Sequence, residues 1–353
     1  MLKTLKSWAL LAPLLATALP AAAQDITWQV PTSVPEGSPF YVNFLERFAD
    51  NVDELTAGRV EIEPFGAGVL VPALQVYEGV KDGIIQAGHS TPSYLVNQDP
   101  INAIFAGFPG GMGPEAYITW IYEDGGKEAL YALRAEEGFK SLIVGIGSSE
   151  IMAHSNVPVQ KAEDLKGLKY RTSGPWAEVM KEYFGAVPTV VPPGEIYTLL
   201  QRKGVDLIEW GPPSGNLPEG FHEAAKYIIV PGVHQPTFLW EVVLKQETWD
   251  ALDEDLKPLI ETAADLTTMQ GLLHFYSQDV KAMKSYREGK NEIITLDPAF
   301  VTELSDAGID WITKKAASEK DAGKGAMSDL LADYMAFKDS WSAESSYLIR
   351  NQD

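Results

Sequence analysis

No cysteine occurs anywhere in the 353 residues. That excludes disulfide staples, thiolate nucleophiles and Cys-ligated zinc, and it leaves no cysteine for a lipid anchor, so packed apolar cores have to hold the fold. Positive charge is scarce as well: 28 Lys and Arg stand against 49 Asp and Glu, a net charge of −21. Such acidity argues against nucleic acid and anionic membrane surfaces as partners, and any anionic ligand then needs a local cation to offset the global field. Catalytic signatures are missing too. There is no GxSxG elbow, HExxH pair, P-loop or three-glycine dinucleotide turn. Gly66-Ala67-Gly68 and Gly145-Ile146-Gly147 lack the third glycine and read as strand ends or turns, and the five histidines (His89, His154, His222, His234, His274) are scattered without zinc spacing. An enzyme reading has nothing to rest on.

What is present begins with a leader. Lys3 and Lys6, an apolar stretch from Trp8 to Leu19, and Ala21-Ala22-Ala23 follow the order of a secretory signal peptide cleaved near Ala23. The apolar stretch is too short to span a bilayer, which needs about 20 residues. The expectation is a mature periplasmic protein whose net charge falls from −21 to −23 once the two leader lysines are removed. The remaining chain, roughly 330 residues, is longer than one core usually holds, so two domains are expected.

The pattern along the chain predicts α/β architecture. Ile26–Val30 reads as a strand, and Phe40, Phe44, Phe48, Val52 and Leu55 recur at helical spacing up to Gly58. A strand through Arg59–Pro64, a helix over Pro72–Asp82 and a strand over Ile84–Gly88 complete a doubly wound rhythm. The rhythm resumes with strands at Ser141–Gly147, Ile151–Ser155, Leu168–Thr172, Thr189–Val191 and Val205–Trp210, and with helices at Pro175–Phe184 and Glu195–Lys203. Trp240–Lys245 reads as a strand returning to the first domain. From about Pro258 to Glu288 only Gly271 interrupts an apolar helical period, longer than an ordinary globular helix, and a helix crossing between domains is predicted there.

Binding chemistry concentrates at two strand ends. Arg171 ends the predicted strand Leu168–Thr172, with Ser173, Gly174 and a helix start just beyond. Ligands of open α/β sheets bind at that edge, and a guanidinium there can grip a carboxylate with two parallel hydrogen bonds. The competing reading is an arginine paired with a nearby acid. Glu209 and Trp210 end another strand before Gly211-Pro212-Pro213; Glu209 is a candidate backbone cap or hard-cation ligand, and Trp210 a core residue or a pocket wall.

The run Asp164-Leu165-Lys166-Gly167-Leu168-Lys169-Tyr170-Arg171 continues through Phe184-Gly185-Ala186-Val187-Pro188, Pro193-Gly194-Glu195-Ile196-Tyr197-Thr198-Leu199-Leu200-Gln201, Gly204-Val205-Asp206-Leu207-Ile208-Glu209-Trp210 and Ala224-Ala225-Lys226-Tyr227. Together with Leu55–Ile62 and Pro64–Gly68, it resembles the DctP-like solute receptors of tripartite ATP-independent periplasmic (TRAP) transporters, over nearly the whole mature chain. The resemblance implies a two-domain periplasmic binding protein with a ligand cleft between the domains and a long helix spanning both. It implies that Arg171 pairs with the carboxylate of a small organic acid delivered to a TRAP membrane permease, by a receptor that is a monomer or a homodimer. Glu209-Trp210 resembles the branch that binds 2-oxo or 2-hydroxy monocarboxylates, some of whose members hold a metal ion through this glutamate and the carbonyl of the following tryptophan. Glu150 stands where that branch tends to carry glutamine, and Glu241 is a further candidate ligand for a bound Ca2+ or Na+; a carboxylate in place of the amide favours a divalent ion or dispenses with metal. The turn Gly211–Asn216 departs from the branch's Val-Gly-Pro type turn, which leaves the exact acid open. Ser90, Tyr94 and Phe108 are expected to face the cleft from the first domain, and Trp176 and Trp240 are candidate walls for an aromatic acid.

The implied layout is a signal peptide at 1–23, domain I at 24–148, domain II at 149–235, a return to domain I at 236–257, the domain-spanning helix at 258–290, and a C-terminal strand and helices at 291–353. An ABC-type or sensor-associated periplasmic receptor, or a periplasmic enzyme acting on a carboxylic acid, are the alternatives.

Overall fold

The structure, a computed structural model, describes residues 26–348; the leader read at 1–23 lies outside them. Strands β1 (Ile26–Pro31) and β2 (Val60–Phe65) pair in parallel, and a bridge between Thr32 and His89 joins them to β3 (Ala87–Ser90). β3 does not pair with the next strand in sequence, β4 (Phe139–Ile146). Between them lies the later strand β10 (Leu239–Lys245), antiparallel to both. The second sheet holds β5 (Ala153–Ser155), β6 (Lys169–Arg171), β7 (Val187–Thr189), β8 (Leu207–Ile208), β9 (Tyr227–Val230) and β11 (Glu292–Thr295), in the order β11-β9-β5-β8-β6-β7. The chain therefore crosses between the sheets after β4, before β10 and after β10, giving two α/β lobes with a cleft between them.

The third crossing is a helix of 32 residues, Lys257–Glu288, roughly 48 Å long at 1.5 Å per residue. Small residues on its inner face (Ala263, Ala264, Gly271) bring it close to β4 and to the helix Arg47–Thr56. A Cβ at Gly271 would stand 2.7 Å from the Phe44 ring. Polar contacts set its register: Thr268 donates to the Ile143 carbonyl at 2.9 Å, and Asn51 donates to Thr267 Oγ1 at 2.8 Å. Among the described residues no helix is long and apolar enough to cross a membrane.

The Gly145-Ile146-Gly147 pair has a packing reason. A Cβ at Gly145 would lie 2.6 Å from Phe44, and one at Gly147 would lie 1.9 Å from Phe238. Three helices unread in the sequence fill the stretch between β3 and β4: Asn102–Ala106, Pro114–Glu123 and Gly126–Glu136. The second starts with proline in its first turn after Gly113, where the missing N–H is no loss.

Candidate functional site

β6 and β8 run in parallel with Arg171 opposite Ile208, so the chain leaves both strands at one edge and sets Glu209 and Trp210 beside Arg171. The guanidinium is buried. Its Nη1 donates to the Glu209 carbonyl at 2.9 Å and to Glu209 Oε1 at 3.3 Å, its Nη2 donates to the Val191 carbonyl at 3.3 Å, and it stands 5.6 Å from the Trp210 ring centre. Its Nε finds no acceptor among the described residues although it is buried. The helix Gly174–Phe184 starts just beyond, but the Ser173 N–H is already given to Glu209 Oε1 at 3.1 Å.

Glu150 arrives from the crossing after β4 and His234 from the crossing before β10. Glu150 Oε2 and His234 Nε2 lie 3.0 Å apart, and the backbone at Gly232 presses so close that a Cβ there would stand 1.9 Å from the Glu150 carbonyl oxygen. Burial pushes the His234 pKa down to about 3, so the contact joins a neutral imidazole to a carboxyl group and is not an ion pair. Ligand atoms of Glu150, Glu209 and His234 all lie within 4.8 Å of one another. Burial raises the pKa of both carboxyls. Glu209 is restrained by Arg171, Thr172 and the Ser173 N–H, whereas Glu150 rises well above the ordinary range because burial is compounded by the charge of Glu209.

These groups face a small cavity, about 20 Å³ when measured as the space open to the centre of a water molecule. Glu150, Arg171, Glu209 and Trp210 line it from one side. Thr91, Ser93, Tyr94, Phe40, Phe238 and Trp240 close it from the other. Phe40 is the hub of that wall, with ring centres 5.2 Å from Trp210, 5.4 Å from Phe238 and 5.3 Å from Trp240. Burial lifts the Tyr94 hydroxyl to about 12 against the opposing influence of Arg171, so it stays protonated and able to donate.

The structure thus brings Arg171, Glu150, Glu209, Trp210 and Tyr94 together, and it places four other expected residues elsewhere. Glu241 cannot join Glu209. Neighbouring strand residues point to opposite faces, and Trp240 takes the cavity face. Glu241 turns the other way into a buried ion pair with Arg134 at 2.6 Å. Ser90 is the register partner of Glu241 on β3, shares its face, and lies 3.4 Å from Ser33 Oγ; Thr91, one residue on, reaches the cavity instead. Phe108 packs on Tyr334 at 5.3 Å, away from the site. Trp176 stands 5.6 Å from the His234 ring, outside the cavity wall. The sequence reading missed His234, Gln235, Thr91, Ser93, Phe40 and Phe238. For His234 and Gln235 one signal was available: they sit in the connection after β9, and binding residues favour loops at strand ends.

Residues 31–319 match the family described as bacterial extracellular solute-binding protein, family 7 (DctP). The monocarboxylate 2-oxoacid-binding periplasmic protein of Nostoc sp. strain PCC 7120 is 26% identical over 299 residues, spanning 85% of this chain and 82% of that protein. A solved TRAP periplasmic solute binding protein from Pseudoalteromonas atlantica T6c, with bound sodium and pyruvate, is 26% identical with a TM-score of 0.82, covering 92% of this chain and 98% of that one. Another from Colwellia psychrerythraea, with bound calcium and pyruvate, is 24% identical with a TM-score of 0.85, covering 92% and 97%.

Proposed function

This chain belongs to the DctP family of bacterial extracellular solute-binding proteins, and from that premise we propose that it captures a small 2-oxo or 2-hydroxy monocarboxylate at Arg171 in the periplasm and presents it to a TRAP membrane permease. The observation that carries the reading is the buried guanidinium beside the cavity, with Nε unspent and the protonated Tyr94 hydroxyl nearby. A buried cation with unspent donors is stabilised by an arriving carboxylate, and the dry aromatic surroundings strengthen that attraction. Phe40, Trp210 and Trp240 leave space for only a few non-hydrogen atoms, which favours short acids. The pyruvate in the Pseudoalteromonas structure and the 2-oxoacid in the name of the Nostoc relative are of that size and class.

A cation fits the same place. Two carboxyl groups, Glu150 and Glu209, converge within ligating distance while a single arginine offsets them, and oxygen donors suit Ca2+ or Na+. With both acids ionised, Arg171 and a monocarboxylate bring the local charge to −2, which a divalent ion cancels. A sodium ion balances it only if Glu150 keeps its proton. Bound there, the ion would supply positive charge to the ligand oxygens. Glu209 holds Arg171 in place, His234 orients Glu150, and the aromatic wall excludes water. Closure of the lobes about the crossings near Ser148 and Gly232 would seal the acid in, and the ligand favours the closed state because residues from both lobes line the cavity.

The deciding experiment is calorimetry on chelator-treated mature protein titrated with pyruvate, lactate and longer mono- and dicarboxylates, with and without calcium. Binding of the short 2-substituted acids that requires calcium is the expected result. Binding of other acids with no response to calcium would discard the branch and the cation together. Turnover of any of these acids, read by mass analysis, would replace the receptor reading with an enzymatic one.

A further inference from the structure

The turn Gly211–Asn216 departs from the Val-Gly-Pro type turn of the branch it resembles, and a side chain from the other lobe occupies the space this leaves. Phe40, just before the helical segment Tyr41–Glu46, reaches across the cleft with its ring tip against that turn. A Cβ at Gly211 would stand 2.7 Å from Phe40 Cζ, and one at Gly215 would stand 3.6 Å from it. A valine at 211 and this ring cannot share the place unless one of them shifts, so the glycine and the phenylalanine come as a pair. The ring is buried. It stacks on Trp240 with 25° between the planes, and it meets Trp210 and Phe238 edge-on at 65° and 79°. Phe44 and Phe275 back it, with ring centres at 5.9 and 5.7 Å.

Behind this ring lies a second and larger cavity. It measures about 350 Å³ on the scale that gives the carboxylate cavity about 20 Å³. Pro39 and Val42, on either side of Phe40 in sequence, line it from the first lobe, Ser214 and Leu217 from the second, and Phe275 and Gln278 from the long helix. The two cavities have no lining residue in common. Phe40 lines the inner one. Its ring meets Phe275, which lines the outer one, and it meets Gly215, whose neighbour Ser214 does the same. Phe40 is therefore the side chain that stands between a site built to grip a carboxylate and a roomier space walled in part by Val42, Leu217 and Phe275. An acid held at Arg171 has room for a longer apolar tail only if this ring is out of the way.

We propose that Phe40, seated on Gly211, sets how long an acid this receptor accepts: it closes the carboxylate cavity off from the outer one, and a smaller side chain in its place joins the two. The inference rests on the reading of the inner cavity as the site of a short 2-oxo acid. Calorimetry in calcium with straight-chain 2-oxo acids, from pyruvate to 2-oxooctanoate, tests it. Affinity of the wild type should fall roughly tenfold or more once the chain outgrows the cavity, the scale on which a pocket discriminates one methylene. Phe40→Ala should bind 2-oxooctanoate at least as tightly as pyruvate. Adding Gly211→Val to it refills the space from the other side and should restore the preference for short acids. Phe40→Leu keeps an apolar side chain in the core and should extend the accepted length by less, so the test does not depend on alanine being tolerated. Equal length profiles for wild type and the Phe40 variants, or a double variant as permissive as Phe40→Ala, would overturn the assignment. A wild type that binds no 2-oxo acid would refute the proposed function instead. The ligand-free crystal structure of Phe40→Ala then decides the partition: one continuous cavity is expected, and collapse of the neighbouring rings into the vacated space would overturn it.

Discussion

Two buried arginines, each ion-paired to a buried glutamate, have opposite fates in this molecule. Arg134 gives its Nε to both Glu241 oxygens at 2.9 and 3.2 Å, its Nη2 to Glu241 at 2.6 Å and to Asn102 at 2.8 Å, and its Nη1 to Glu137 at 3.2 Å. Glu241 is completed by Tyr77 at 2.7 Å and Ser141 at 2.5 Å. Arg171 meets its glutamate at 3.3 Å, spends its best bond on a backbone carbonyl and leaves Nε without an acceptor among the described residues. The first pair fills its surroundings and the second borders a cavity. Burial and an acidic neighbour are common to both. What separates the two arginines is the fraction of their donors already spent.

The contrast is broken most severely at the saturated pair. Arg134→Ala leaves the enclosed Glu241 without its cationic partner, and loss of one partner of a buried pair costs about 3–5 kcal/mol, so urea unfolding should show the largest destabilisation of this set. Arg171→Ala should cost less stability, because Glu209, already pushed towards protonation by burial, can take up a proton while Ser173 still donates to it. Its ligand affinity should instead fall by about 2–5 kcal/mol in calorimetry, the range for truncating one side of a buried charged contact. Equal destabilisation by the two substitutions would erase the distinction.

Glu150→Gln is the next test. In calcium it should weaken acid binding by roughly tenfold, about 1.4 kcal/mol, and in sodium it should weaken it less or not at all. The same group sets a pH dependence. Its folded-state pKa is raised, so between the ordinary carboxylate value of 4.5 and its own higher pKa the folded state binds more protons than the unfolded one. Stability of the chelated protein should therefore fall as pH rises through that window. Thermal denaturation should show the slope in wild type and a reduced slope in Glu150→Gln. The smallest effect is expected of Tyr94→Phe, which removes one neutral donor near Arg171 and should weaken binding by about 0.5–1.5 kcal/mol.

Much of this molecule is legible in its residues. Proline and glycine punctuation bounds β6, the helix Gly174–Phe184 and the start of the long helix, and the turn at Asp164–Gly167 fixes where β6 begins, hence that Arg171 ends it. Choosing between Trp240 and Glu241 was beyond the sequence. β10 is buried on both faces, and alternation carries no signal where neither side meets water. His234 offered only its place in the connection after β9, since its partner Glu150 lies 84 residues earlier on another crossing. The helices between β3 and β4 went unread although Pro114 after Gly113 is a start signal; the glycines at 107, 110, 111 and 113 lie outside all three.

The position of β10 has a consequence in time. β3 and β4 touch only through it, so the first lobe's central sheet lacks its middle strand until residues 239–245 have been made. Pairing across so many intervening residues is slow, because the long loop must close before its contacts reward it. A chain emerging from its amino terminus therefore stays open, without a finished lobe, for two thirds of its synthesis, the condition in which a polypeptide can still be threaded through a narrow channel.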